Sequence, residues 1–156
     1  MRLFVGIGVP ENLAARLAIF QSGLPGARWV APENMHVTLR FVGEVQCNEA
    51  EDIDEMLAQI DAPGFDLHLH GVGTFGQGAK AHSVWVGVQP SEALSFLQHK
   101  VESAVVRAGQ PAEGRKFTPH ITLARFNHAD ASRLQHFVEG NNLFRSEEHT
   151  SELQSH

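Results

Sequence analysis

Apolar and polar positions change period several times along the chain, and each change marks an element. Leu3-Phe4-Val5-Gly6-Ile7-Gly8-Val9 is rich in β-formers and stops at Pro10, which suits a buried strand. From Glu11 to Phe20, Leu13, Leu17 and Phe20 recur at helical spacing, and a Gly/Pro-rich turn follows from Gly23 to Gly26. The run Met35 to Val42 then alternates as a half-buried strand does. After Cys47 a second helix is predicted: Asn48 is its expected N-cap, Glu49, Glu51 and Asp52 suit its positive end, and Ile53, Met56, Leu57 and Ile60 form its apolar stripe.

Phe65-Asp66-Leu67-His68-Leu69-His70 keeps a strict period of two, the signature of a strand with one apolar and one polar face. A Gly-rich stretch from Gly71 to Gly78 leads to a further strand, Val84 to Val88, and Pro90-Ser91 opens a helix carrying Leu94, Leu97, Val101 and Val105 up to Gly109. Gln110 to Lys116 is polar loop. Phe117 to Phe126 reads as a strand interrupted by Pro119, and Asp130 caps a short helix with Leu134, Phe137 and Val138 inside and Gly140 at its end.

The two halves of this pattern repeat. Val5-Gly6-Ile7-Gly8-Val9-Pro10-Glu11 introduces one helix as Val86-Gly87-Val88-Gln89-Pro90-Ser91-Glu92 introduces another, and each half then reaches a His-apolar-Thr-Leu strand. The expected fold is α+β: two pseudo-two-fold related lobes, antiparallel sheets lining a central cleft and helices outside.

On a strand His36 and Thr38 share one face while Val37 and Leu39 anchor the other, and His120 and Thr122 stand in the same relation to Ile121 and Leu123. If the lobes bring the polar faces together, two imidazoles and two hydroxyls converge on a cradle for a phosphate. One neutral imidazole can accept a proton from water while the other, protonated, donates to a departing oxygen; an ordinary imidazole pKa of ~6.5 allows both forms near neutrality. The threonine hydroxyls would hydrogen-bond the non-bridging oxygens as charge develops. A bare His-x-Ser/Thr is weak, and a third match stands at His149-Thr150-Ser151. Requiring His-Val/Ile/Leu-Thr-Leu lowers the chance expectation to roughly 0.006 per chain, so two copies in equivalent places of a repeat carry the argument.

Composition narrows the setting. With 42% hydrophobic and 19% charged residues among 156, the chain is a soluble one-domain sequence, and disordered, collagen-like and coiled-coil classes are excluded. A net charge of −6 argues against wrapping long duplex but leaves room for a small anionic ligand. Cys47 has no partner for an intrachain disulfide, and Leu3 to Val9 is far too short to span a membrane, so a cytoplasmic protein is expected.

The pair His36-Val37-Thr38-Leu39 and Pro119-His120-Ile121-Thr122-Leu123-Ala124-Arg125 resembles the two-histidine phosphoesterase superfamily. Arg2-Leu3-Phe4-Val5, Asn34-Met35, Phe41-Val42-Gly43-Glu44 and Gly73-Thr74-Phe75 are similar to its RNA 2′,3′-cyclic phosphodiesterases, also called 2′-5′ RNA ligases, over residues 2 to about 144. The resemblance implies metal-independent, cofactor-free hydrolysis of a 2′,3′-cyclic phosphate on an RNA end or nucleotide to a 2′-phosphomonoester, with reversible 2′-5′ ligation, by a monomer. It casts His36 as proton donor to the leaving 3′ oxygen and His120 as proton acceptor. Two alternatives stay open: a non-catalytic module gripping RNA or nucleotide phosphate ends, and a related phosphoesterase acting on another cyclic phosphate or on oligoadenylate.

Other residues are weaker candidates. Under strict alternation Arg125 falls on the face opposite His120, so a substrate contact, which the resemblance favours, needs a bend or the strand's end there. Phe41 is likewise opposite His36 and reaches a terminal base only if a bulge re-aims it; otherwise it packs in the core, as Phe117 and Trp85 are expected to do. His68 and His70 lack a third metal ligand beyond Asp66, and Gly71-x-Gly73-x-x-Gly76 lacks the helix a dinucleotide site needs. Arg145 to Ser155 continues no earlier pattern and resembles the conceptual translation of a common DNA-sequencing adapter. That resemblance implies a domain of residues 1–144 without its two closing strands, an open edge on one sheet, and a non-native tail over 145–156.

Overall fold

The first β-rich run and the first motif strand pair with each other: β1 (Arg2–Gly8) lies antiparallel to β3 (His36–Glu44). In the second half β5 (Ser83–Val88) sits antiparallel between β4 (Phe65–Phe75) and β6 (His120–Arg125). The halves meet where β3 and β6 run side by side, antiparallel, through one pair, Val37 and Ile121. A two-residue strand, β2 (Arg28–Trp29), continues along the same side of β6 beyond β3. The computed structural model describes residues 1–141, 145–150 and 154–155. Its architecture is the expected α+β one, an antiparallel sheet of two halves with four helices outside.

The helices are exchanged between the halves. α1 (Glu11–Ala18) follows β1, yet its Leu17 joins Phe137 of α4 (Ala131–Asn141) against Val72, Val86 and Leu123 of the second half. α3 (Glu92–Arg107) follows β5 and packs on β3 and on α2 (Cys47–Leu57). Each half is therefore closed by a helix that the other half's sequence supplies.

Local signals explain most boundaries. Ser91 caps α3 by accepting the Leu94 N–H at 3.1 Å, and Asp130 accepts the Arg133 N–H at 3.1 Å ahead of α4. α2 begins at Cys47 behind Gln46, not behind Asn48, because Glu49 reaches back to the Gln46 N–H at 2.9 Å and closes a capping box ahead of the predicted cap. β6 begins at His120, three residues after Phe117: Pro119 has no N–H for a ladder, and the Thr118 carbonyl is engaged by the His120 ring. Gly71 and Gly73 lie inside β4, and only a short 3-10 turn at Gly78–Lys80 follows, so the glycine motif is a strand feature.

The open edge expected on one sheet is found neither along β4 nor along β1. Arg145–Thr150 pairs antiparallel with β4 from His70 back to Phe65, and Gln154–Ser155 pairs with Gly6 and Val5 of β1. An edge strand offers a row of unpaired N–H and C=O groups that any extended segment can satisfy, which is why the expectation of an open edge needs this correction.

One ion pair is set deep in the framework. Arg40 of β3 is 7% exposed; Nη1 donates to Glu102 of α3, Nη2 to the Pro111 carbonyl at 2.6 Å and Nε to the Phe41 carbonyl at 3.1 Å. The other Glu102 oxygen accepts the Glu113 N–H at 2.9 Å. The pair thus ties β3 and α3 to the loop that leads into β6. Glu102→Ala strands a buried guanidinium and is expected to lower unfolding free energy by about 3 kcal/mol in urea titration. A loss below about 0.5 kcal/mol would show the pair behaving as an exposed surface bridge.

Candidate active site

The four motif side chains share one face of the β3–β6 junction. Val37 and Ile121 are fully buried beneath it, and because the strands are antiparallel, His36 stands beside Thr122 and Thr38 beside His120. All four are partly exposed. The two imidazoles lie on a diagonal of this quadrilateral and the two hydroxyls on the other, which is the convergence the repeat predicts.

Both histidines are held in the same way. His36 Nδ1 lies 2.9 Å from the Asn34 carbonyl and His120 Nδ1 lies 2.7 Å from the Thr118 carbonyl, in each case the residue two positions earlier. A carbonyl oxygen only accepts, so Nδ1 carries the proton in both rings and the lone pair of the neutral form sits on Nε2. Each ring is therefore fixed in the tautomer that lets Nε2 take or give a proton. Behind them the halves differ. His36 stacks on Phe4 at 4.4 Å and 20°, whereas His120 meets Phe75 at 4.9 Å and 81° and Trp85 at 6.0 Å. Two glycines make room: a Cβ on Gly6 would stand 2.8 Å from the Val37 carbonyl, and one on Gly73 only 2.5 Å from the Trp85 ring.

The same irregularity recurs in both motif strands and changes the reading of two residues. Thr38 faces Gly6 and Arg40 faces Val5, leaving Leu39 as an extra residue; Thr122 faces Trp85 and Ala124 faces Val84, leaving Leu123 extra. These are β-bulges, and each shifts the alternation by one. Consecutive residues Leu39 and Arg40, and Leu123 and Ala124, are consequently all buried, while Phe41 and Arg125 emerge on the side of the histidines. Phe41 is 46% exposed with the Arg2 guanidinium 5.6 Å from its ring centroid, so it is not a core residue. Phe41 and Arg125 occupy equivalent places in the two halves. The ladder also pairs His36 with Gly8 and His120 with Gly87, so Gly8 and Gly87 are equivalent, one residue off the correspondence read from the prolines.

Each bulge carbonyl is braced by a glutamine from the exchanged helical side. Gln21, just beyond α1, donates Nε2 to the Leu123 carbonyl at 3.2 Å and to the Val30 carbonyl at 2.6 Å, and Gln98 of α3 donates to the Leu39 carbonyl at 3.4 Å. The Val30 N–H also reaches the Leu123 carbonyl at 2.9 Å. No motif in the sequence singles out these glutamines, and their role depends on the helix exchange.

A pocket of about 650 Å³ opens on this face, with His36, Thr122 and Arg125 in its wall together with Phe4, Asn34 and Arg28. Thr38 and His120 lie on the same face outside that wall. Trp85 is half-buried against Gly73, its indole N–H buried without a partner, and Phe117 packs on the edge of the core. His68 and His70 are exposed, and among the described residues no group of three or more His, Cys, Asp or Glu is arranged for a metal ion. Among the described residues no helix is long and apolar enough to cross a membrane.

The bulge geometry makes a specific demand on Gln21. Gln21→Leu removes its two hydrogen bonds and is expected to cost about 1–2 kcal/mol in chemical unfolding and to move the backbone amide resonances of residues 123–126. Unmoved resonances in that segment would show that the bulge stands without this brace.

Comparison with known proteins places the chain in a family. The sequence profile of the 2′-5′ RNA ligase superfamily matches residues 9–146. RNA 2′,3′-cyclic phosphodiesterases from Geobacillus stearothermophilus, Archaeoglobus fulgidus and Escherichia coli are 36%, 31% and 34% identical over 76%, 80% and 80% of this chain. The matched region spans 40% of the Geobacillus protein's length and 72% and 71% of the other two. Among solved structures, Escherichia coli LigT complexed with 3′-AMP superposes with a TM-score of 0.75 at 28% identity, covering 99% of this chain and 86% of that one. A protein from Thermus thermophilus does so with 0.78 at 28%, covering 99% and 87%. With paired His-x-Thr strands in this arrangement and a profile match over most of its length, the chain belongs to the 2′-5′ RNA ligase superfamily.

Proposed function

We propose that the cleft hydrolyses a 2′,3′-cyclic phosphate at an RNA end or on a nucleotide, leaving a 2′-phosphomonoester. The observation that carries this reading is the pair of imidazoles on one face, each with Nδ1–H engaged by a carbonyl, which makes Nε2 the proton-transfer atom of both rings. His120 Nε2 takes a proton from water as the water oxygen bonds to phosphorus. The bond from phosphorus to the 3′ oxygen breaks, and protonated His36 gives its Nε2 proton to that oxygen. Thr38 and Thr122 donate to the non-bridging oxygens, where charge accumulates in the transition state. A 5′-hydroxyl in place of water would form a 2′-5′ linkage by the same transfers. The relatives' names support this substrate class, since each is an RNA 2′,3′-cyclic phosphodiesterase.

Arg125 and Phe41 complete the substrate surface in this reading, Arg125 pairing with phosphate and Phe41 offering its exposed face to a base. The catalytic domain occupies residues 1–144, residues 145–156 are foreign to it, and the protein works as a cytoplasmic monomer. The exposed thiol of Cys47 suits a reducing compartment.

Hydrolysis of a nucleoside 2′,3′-cyclic phosphate in EDTA, with 2′- and 3′-phosphate products resolved, tests the mechanism. His36→Ala and His120→Ala are each expected to lower kcat by about 10²–10⁴-fold while retaining the fold. The wild-type rate should fall on both sides of neutrality, because one ring must be neutral while the other is protonated. A flat profile between about pH 5 and 9 is incompatible with two-histidine catalysis. Nucleotide binding by folded protein without turnover would instead favour a binding module. For the domain reading, a chain ending at Phe144 should keep wild-type activity; its loss would make the tail part of the enzyme.

A further inference from the structure

Two arginines face each other beside the histidines. Arg28 of β2 is the register partner of Arg125 of β6, which places their Cβ atoms about 4.5–5.5 Å apart. Both stand in the wall of the pocket that holds His36 and Thr122. Like charges directly opposite each other weaken a strand pair, and β2 has only two residues with which to offset that cost. Among the described residues neither guanidinium has a carboxylate within ion-pair distance, although Glu33 also lines the pocket. Arg28 donates to the neutral Asn127 Oδ1 at 3.1 Å, and the neighbouring Trp29 ring packs on Phe137 at 6.1 Å. The strand is thus anchored and the arginine aimed, while the two positive charges are left for something else to neutralise. A conflict of this kind at a cleft is a mark of function.

The position fits one kind of anion. Thr122 faces Trp85 and Arg125 faces Ser83, two steps of β5 and so about 7 Å along the ladder, and Arg28 therefore lies beyond the place where the reacting phosphate meets the motif side chains. The pocket, at about 650 Å³, is larger than one phosphate fills. In an RNA end the next anionic group is the phosphodiester on the 5′ side of the terminal ribose, across the sugar from the cyclic phosphate. A guanidinium presents a planar fork that matches two phosphate oxygens.

We infer that Arg28, set opposite Arg125, forms a second phosphate subsite that takes this 5′-side phosphodiester and makes the site prefer RNA ends to lone nucleoside cyclic phosphates. The inference rests on the cyclic phosphodiesterase reading of the cleft and adds the residue that recognises the chain beyond the terminal nucleotide. A mononucleoside cyclic phosphate leaves the subsite empty; its 5′-phosphorylated form or a dinucleotide fills it.

The test compares three substrates, adenosine 2′,3′-cyclic phosphate, its 5′-phosphorylated form and a diadenosine ending in the cyclic phosphate, with wild type, Arg28→Gln and Arg28→Lys. In parallel, calorimetric titration compares adenosine 2′,5′-bisphosphate with adenosine 2′-monophosphate, which reads the subsite without turnover. Wild type is expected to favour the doubly phosphorylated ligand by about 10-fold or more in kcat/KM and in affinity, the worth of one charge-assisted contact. Arg28→Gln should collapse both ratios towards one and Arg28→Lys should keep part of them; ratios are insensitive to general damage by either variant. A wild-type ratio near one, or a ratio unchanged in Arg28→Gln, overturns the subsite. A gain with the 5′-monoester that the dinucleotide does not share overturns the preference for RNA ends. Retained preference for the bisphosphate by a protein that hydrolyses none of the three substrates supports the subsite and refutes the proposed reaction.

Discussion

The site depends on a single strand contact. Val37 and Ile121 are the pair through which β3 and β6 meet, both side chains are fully buried, and the four polar motif residues lie directly above them. Antiparallel pairing at this point fixes which groups are neighbours: a histidine of one half stands beside a threonine of the other. A slip by one residue would turn every motif side chain to the opposite face, so the buried pair specifies the chemistry as much as it specifies the fold. The exchanged helices support it from outside, because α1 packs against the half that holds β6 and α3 against β3.

The paired bulges use that register to widen the site. A regular strand can present only alternate residues, so His, Thr and a third group three positions beyond the threonine could not share a face. One extra residue at Leu39 and at Leu123 removes the restriction and brings Phe41 and Arg125 round. The unpaired backbone that a bulge creates has to be satisfied. Gln98 reaches the Leu39 carbonyl, and Gln21 joins the Val30 N–H at the Leu123 carbonyl, each glutamine from the helical side that the other half contributes. Packing between halves and the shape of the polar face are therefore coupled through two side-chain amides.

What is legible in the sequence is whatever is encoded locally. His36, Thr38, His120 and Thr122 fall on one face by period alone, Ser91 and Asp130 cap the helices they precede, and the repeat announces two related halves. The bulges stay hidden because neither needs a glycine: among the described residues every positive φ belongs to a glycine, and none lies at Leu39 or Leu123. Only the consecutive buried residues Leu123-Ala124 hint at a phase break, while in the first half the matching place is held by Arg40, a residue whose charge disguises its burial. Arg40 becomes a core residue only once Glu102, sixty-two positions away, is placed beside it. β2 escapes notice for a related reason, since two residues carry no periodicity. The helix exchange and the glutamine braces are long-range relations that no window of sequence contains.

The symmetry of the frame makes its departures informative. An exact two-fold cleft would accept a ligand equally well in either direction, and a reaction in which one ring gives a proton while the other takes one would have no preferred sense. Here the equivalent positions carry Phe41 in one half and Arg125 in the other, and the surfaces behind the rings are Phe4 on one side and Phe75 with Trp85 on the other. β2 adds Arg28 beside Arg125 alone. Two arginines thereby stand at one end, and at the other an exposed aromatic ring with Arg2 beside it, so the two ends of the cleft present different surfaces to a nucleotide. A ligand with a direction meets two chemically identical side chains as different groups, and in the proposed reaction position relative to the substrate is what would divide the work between His36 and His120 without requiring different residues.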